Sequence, residues 1–91
     1  MNDPTSLNKE SVRAMVTLIA QSLVDYPDAV RVEAVTTHGV TTLNVRVAPA
    51  DTGKIIGKQG RTARSIRILV SGAGMKLCHR YALNILRPDE M

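Results

Sequence analysis

The strongest chemical signal in the chain runs from residue 53 to residue 67: Gly53-Lys54-Ile55-Ile56-Gly57-Lys58-Gln59-Gly60-Arg61, followed by Arg64 and Arg67. Gly57 and Gly60 let the main chain turn sharply and let another polymer approach without a Cβ in the way. Lys58 and Gln59, between them, supply long solvated donors. A helix beginning at about Arg61 or Thr62 would aim its unpaired N–H groups and positive dipole end at the same place. The chemistry this combination supports is the holding of phosphate.

Charge along the chain points the same way. Lys54, Lys58, Arg61, Arg64, Arg67, Lys76, Arg80 and Arg87 lie between Asp51 and Asp89 with no carboxylate among them, although the net charge is only +4. Up to Asp51 the balance is reversed: Lys9, Arg13, Arg31 and Arg46 face Asp3, Glu10, Asp25, Asp28, Glu33 and Asp51. An acid-free basic second half favours a polyanionic partner.

Other chemistries fit less well. Gly53 to Gln59 resembles a nucleotide-binding phosphate loop only loosely, being one residue short and having Gln where a Mg²⁺-binding Ser or Thr is needed. Cys78-His79 supplies two ligand types with no further Cys beside them, too few for zinc, and a nucleophile would need a paired base. No enzyme activity, cofactor, metal or small-molecule substrate is expected. The single cysteine rules out an internal disulfide framework and fits a reducing compartment. No apolar run reaches membrane or signal-peptide length, so a cytoplasmic protein is expected.

With 91 residues the chain has one core to build. It has no Phe or Trp and only Tyr26 and Tyr81, so that core must be aliphatic. Residues 1–7 read as a flexible start and 88–91 as a tail, leaving a domain over 8–87. From Asn8, a plausible N-cap, the residues Val12, Met15, Val16, Ile19, Ala20 and Leu23 form one helical stripe, which ends at Asp25-Tyr26-Pro27-Asp28. Val30–Thr37 and Val40–Ala48 read as two strands joined at His38-Gly39, with Val30, Val32, Ala34 and then Leu43, Val45, Val47 facing inward.

Asp51 or Thr52 can cap a short helix through Ile56. On a helical wheel, Ala63, Ile66, Leu69, Val70 and Ala73 form the inward arc of the next helix, opposite Arg61, Arg64, Arg67 and Ser71, with Ile68 on the basic side. Gly72 and Gly74 imply either fraying or a close packing contact. Tyr81–Leu86 reads as a third strand, reached by a crossover long enough to return to the same sheet. The order is α-β-β-α-α-β, an α+β fold with a three-stranded sheet packed against helices on one face.

A G-x-x-G loop is weak evidence by itself. A short helix before it, an amphipathic helix after it, and the basic interval around it make it specific and match the KH module, whose loop clamps about four nucleotides of single-stranded nucleic acid. Val47-Ala48-Pro49, Asp51, Gly53 to Arg61 and Ile66-Arg67 resemble the short bacterial single-KH RNA-binding proteins, the KhpA family, over about residues 9 to 86. Departures fall at Thr62, Ile68, Gly72 and Gly74, and both ends are extended.

The resemblance implies the type II, bacterial KH topology and a cytoplasmic RNA chaperone or post-transcriptional regulator linked to cell elongation and division. It implies action as a homodimer or with a larger Jag-like KH protein. It carries the clamp onto Gly57, Lys58, Gln59 and Gly60, with Lys54, Ile55, Ile56, Arg61 and Arg64 around the groove. In that picture amides and cations hold successive phosphates, and Ile55 and Ile56 floor the groove beneath the bases of a single-stranded RNA. The alternative from another class is a protein–protein adaptor with this fold, for which RNA is incidental.

Overall fold

A computed structural model describes residues 8–87; the stretches 1–7 and 88–91, read above as a flexible start and a tail, lie outside these residues. The first helix, α1, spans Lys9–Leu23. Asn8 caps it as its residue type suggests, its Oδ1 accepting the Ser11 backbone N–H at 2.9 Å. Val12, Val16 and Ala20 are buried, with Met15 and Ile19 packed at their margin. Leu23 belonged to the expected stripe but is 41% exposed, because it sits in the last turn, where the chain leaves the core toward Tyr26.

Strands β1 (Arg31–Thr37) and β2 (Val40–Arg46) form an antiparallel hairpin with Ala34 opposite Leu43 and Thr37 opposite Val40. His38 and Gly39 both have positive φ, 52° and 78°, the pattern of a two-residue turn whose twist matches that of the strands. The third strand, β3 (Arg80–Ile85), runs parallel to β2 with Leu43 beside Leu83, giving the sheet order β1-β2-β3. Burial alternates along β2 and the second half of β3, and in β1 Val32 is buried with Ala34 half-buried two residues on, so the helices cover one face of the sheet.

Between β2 and β3 lie a short helix, α2 (Thr52–Ile56), and a long one, α3 (Arg61–Leu77). This is the α+β, α-β-β-α-α-β arrangement expected from the pattern. The core is aliphatic throughout, with Leu43, Ile55, Val12, Val16, Val45 and Val70 almost wholly enclosed.

Helix α3 rests on the sheet through Ala63, Ile66, Val70 and Gly74, a narrow arc spaced three or four residues apart. Leu69, assigned above to the inward arc, is 54% exposed. It points about 100° away from the centre of that arc, beyond what the sheet covers.

Gly74 resolves the alternatives posed for the two glycines. The helix does not fray there: a Cβ at Gly74 would lie 2.5 Å from the His79 carbonyl oxygen and 3.0 Å from the Tyr81 ring, so close packing on β3 requires a glycine. Gly72 faces open space. The helix ends with Cys78 in the left-handed region (φ 55°). Cys78 N–H donates to the Met75 carbonyl at 3.3 Å, and His79 N–H to the Gly74 carbonyl at 2.9 Å.

Candidate nucleic-acid interface

The loop from Gly57 to Gly60 is a tight hinge between α2 and α3. Gly57 N–H donates back to the Gly53 carbonyl at 2.8 Å, closing α2, and Gly60 N–H donates to the Gly57 carbonyl at 3.1 Å. Gly57 has φ 79° and ψ 169°, a conformation open almost only to glycine. A Cβ there would also collide with the hydroxyl and backbone nitrogen of Thr62. Gln59 (φ 58°) and Gly60 (φ 73°) follow in the left-handed region. Successive positive-φ residues turn the Lys58 and Gln59 side chains outward, and both are exposed.

Helix α3 starts directly at Arg61. Its N-cap is Gly60, no side chain caps it, and its first turn holds no acid. The positive dipole end of the helix therefore meets no compensating charge from the chain. Arg61 and Arg64 are exposed beside it. Among the described residues, Lys58, Arg61 and Arg64 form no ion pair. The loop, the helix start and these three cations thus converge on one outward-facing place suited to an anion.

Two expected site residues have other roles. Lys54 Nζ lies 3.3 Å from Asp25 and 3.6 Å from Asp51, and hydrogen bonding to Asp25 together with its charge raises the lysine's pKa above the ordinary value. Lys54 is thus committed to its own chain. Ile55 is 1% exposed and lies in the core, so it supports the loop from beneath and has no surface to offer a base. Ile56 is half-buried at the end of α2.

Asp51, read as a possible helix cap, makes no capping bond. It is completely buried and accepts the backbone N–H groups of Asp25 at 3.2 Å and Tyr26 at 3.0 Å. This clasp ties the start of α2 to the corner after α1. Its sequence signal was available in Asp51 being the last acid before a long acid-free interval, but a helix cap was the nearer explanation.

One turn beyond Arg64, Arg67 Nε donates to the Leu83 carbonyl of β3 at 3.4 Å. His79 Nε2 lies 2.7 Å from the buried Thr41 hydroxyl, which meets Thr36 Oγ1 at 2.8 Å, so the imidazole serves the join between β3 and the hairpin. Among the described residues no group of three His, Cys, Asp or Glu side chains could hold a metal, and no helix is long and apolar enough to cross a membrane.

A glycine-bracketed hinge between two helices on a mixed β1-β2-β3 sheet defines a KH domain of the type II order. The solved structure of Aquifex aeolicus Era Y63A bound to GDP·AlF4⁻ superimposes on 90% of the chain with a TM-score of 0.62 at 17% identity; the matched part is 32% of that larger chain, and the likeness is one of fold. The family model for the KhpA/KhpB KH domain matches residues 13–85, and the chain belongs to that family.

Among its relatives is the RNA-binding protein KhpA of Caldanaerobacter subterraneus subsp. tengcongensis, 46% identical over 79% of this chain and 96% of the relative. Those of Clostridium acetobutylicum (43% identical, 82% and 100% covered) and Aquifex aeolicus (41% identical, 84% and 96% covered) bear the same name.

Proposed function

We propose that this protein binds single-stranded RNA, with Gly57, Lys58, Gln59 and Gly60 clamping the sugar-phosphate chain of about four nucleotides. The observation that carries the reading is the start of α3: a long helix whose first turn has neither a capping side chain nor an acid, opening at a glycine hinge with Lys58, Arg61 and Arg64 exposed beside it. Three curated relatives named as RNA-binding proteins support it. Lys54 and Ile55 enter the proposal as supports of the loop, while Ile56 offers its half-exposed side to the groove.

The protein acts in the cytoplasm as an RNA chaperone or post-transcriptional regulator, in a role connected with cell elongation and division. A protein partner is part of the proposal, either a second copy or a larger Jag-like KH protein. The outward apolar side chains of α3, Ile68 at 64% exposure and Met75 at 81%, favour such a contact. If that contact were the whole function, the protein would be an adaptor and its preparations would carry no RNA.

The test is equilibrium binding of a fluorescein-labelled single-stranded RNA over a range of salt. Contacts to about three phosphates give a slope of log K against log salt near −2. No binding at low salt, or a slope near zero, would overturn the phosphate clamp and favour the adaptor.

A further inference from the structure

We infer that an RNA strand held at the hinge continues round the end of the sheet onto Arg31 and Arg46, a second phosphate site on the face away from the helices. This deepens the RNA-clamp reading and rests on it. The starting observation is a pair of like charges with nothing between them. Arg31 and Arg46 are direct cross-strand partners in β1 and β2, both exposed on the face of the sheet that the helices leave bare. Side chains so placed stand about 5 Å apart at Cβ, and two like charges there destabilise a sheet.

The described part of the chain does not offset that repulsion. Among the described residues neither arginine forms an ion pair, and Arg46 has no hydrogen bond from its side chain. Arg31 Nη1 donates to the carbonyls of Asp28 at 2.9 Å and Val30 at 2.8 Å, which fixes the side chain and leaves Nε and Nη2 for a ligand. The pair opens on a cavity of about 470 Å³ that Arg13, Glu33, Asn44 and Leu86 also line. Arg13 is already engaged by Glu10 and by the Val32 carbonyl at 3.3 Å, so it serves as a wall. Arg31 and Arg46 together outweigh Glu33, and the cavity keeps a positive balance.

Position makes the ligand RNA. Gly74 of α3 lies against His79 and Tyr81, and Arg67 against Leu83, so the helix runs antiparallel to β3. From Arg67 back to Arg61 is about 9 Å of helix, and from Leu83 on to Leu86 is about 10 Å of strand. Arg61 and the hinge therefore stand level with Leu86, at the end of the sheet where the arginine pair lies. Leu86 N–H donates to the Val45 carbonyl at 2.9 Å, which holds it beside Arg46. A strand leaving the hinge turns the end of the sheet and brings a phosphate between the two guanidiniums, where it removes the repulsion and accepts charge-assisted hydrogen bonds.

The experiment titrates fluorescein-labelled uridine RNAs of five and of fifteen nucleotides over a range of salt. The five-mer fills the clamp alone, and the fifteen-mer reaches both sites. Two further phosphate contacts make the slope of log K against log salt steeper by about 1.4 for the fifteen-mer. R46A is expected to remove about half of that increment and R31A/R46A all of it, with the five-mer bound within about twofold of wild type by both. E33Q acts in the opposite direction, tightening the fifteen-mer and leaving the five-mer unchanged.

A merely structural arginine pair predicts a different result. R46A relieves a repulsion and breaks no bond within the described residues, so it is expected to melt no lower than the wild type. A fifteen-mer bound by R31A/R46A with the affinity and salt slope of the wild type overturns the inference and leaves the clamp standing. Equal losses for the two RNAs also overturn it, since the arginines would then act on the clamp and not beyond it. Failure of the wild type to bind either RNA removes the clamp and this inference together.

Discussion

Asp51 holds the start of α2, and with it the Gly57–Gly60 hinge, in place without facing the hinge. Its carboxylate is enclosed, takes two backbone N–H groups and meets Lys54, so replacing it with Asn leaves one of those donors facing an amide NH₂. D51N is expected to lose about 2 kcal/mol of stability, measured by urea unfolding. The same variant should bind RNA more weakly, because α2 carries the loop.

Lys54 adds a pH signature. Its pKa is raised by Asp25 above the ordinary 10.5, so the native state holds the proton more tightly than the unfolded chain does. The contribution of the pair is complete below the unfolded value and fades as pH rises through the raised one. The stability deficit of K54M should therefore be present at neutral pH and shrink as pH rises past the ordinary 10.5 and through the raised value. The two loop glycines also separate at this scale. Gly57→Ala meets both a forbidden conformation and Thr62, whereas Gly60→Asn occupies a left-handed position with open space around its Cβ. G57A should impair folding and binding far more than G60N.

Helix α3 is where sequence and structure diverge most instructively. The basic side and the core residues Ala63, Ile66 and Val70 follow from periodicity alone, because a 100° step per residue fixes which side chains share a face. Leu69 did not follow, since the width of the buried arc depends on how far the sheet extends beneath the helix. Gly74 was half legible: its type announced something special, and only the approach of His79 and Tyr81 shows what.

The two glycines therefore make opposite predictions. G72A should stabilise the protein by about 1 kcal/mol, since its Cβ meets nothing and alanine favours the helix. G74A should destabilise it by more than that, because the atom it approaches is backbone and cannot step aside. Urea midpoints of the two variants check both. Clasps such as Asp51 with Tyr26, or Arg67 with Leu83, join residues far apart in the chain, and no local pattern encodes them.

At the scale of the whole molecule, the uneven distribution of charge becomes a division of labour. Part of the acidic first half turns inward on the basic second half, where Asp25 and Asp51 engage Lys54. No acid reaches Lys58, Arg61 or Arg64 among the described residues, which leaves the cations around the hinge uncompensated. The order of elements, the aliphatic core and the position of the loop were readable because each rests on local periodicity or on glycine chemistry. The division of Lys54 and Ile55 from the exposed loop tip was not, because neighbours in sequence took opposite sides of a five-residue helix.

The central claim is that the hinge binds RNA through its exposed tip, and it is most directly tested by substituting aspartate for both Lys58 and Gln59. The account predicts that this double variant keeps the wild-type circular dichroism spectrum and melting temperature while its affinity for single-stranded RNA falls below detection at the salt concentration where the wild type is saturated. A folded double variant that binds RNA as tightly as the wild type would contradict it.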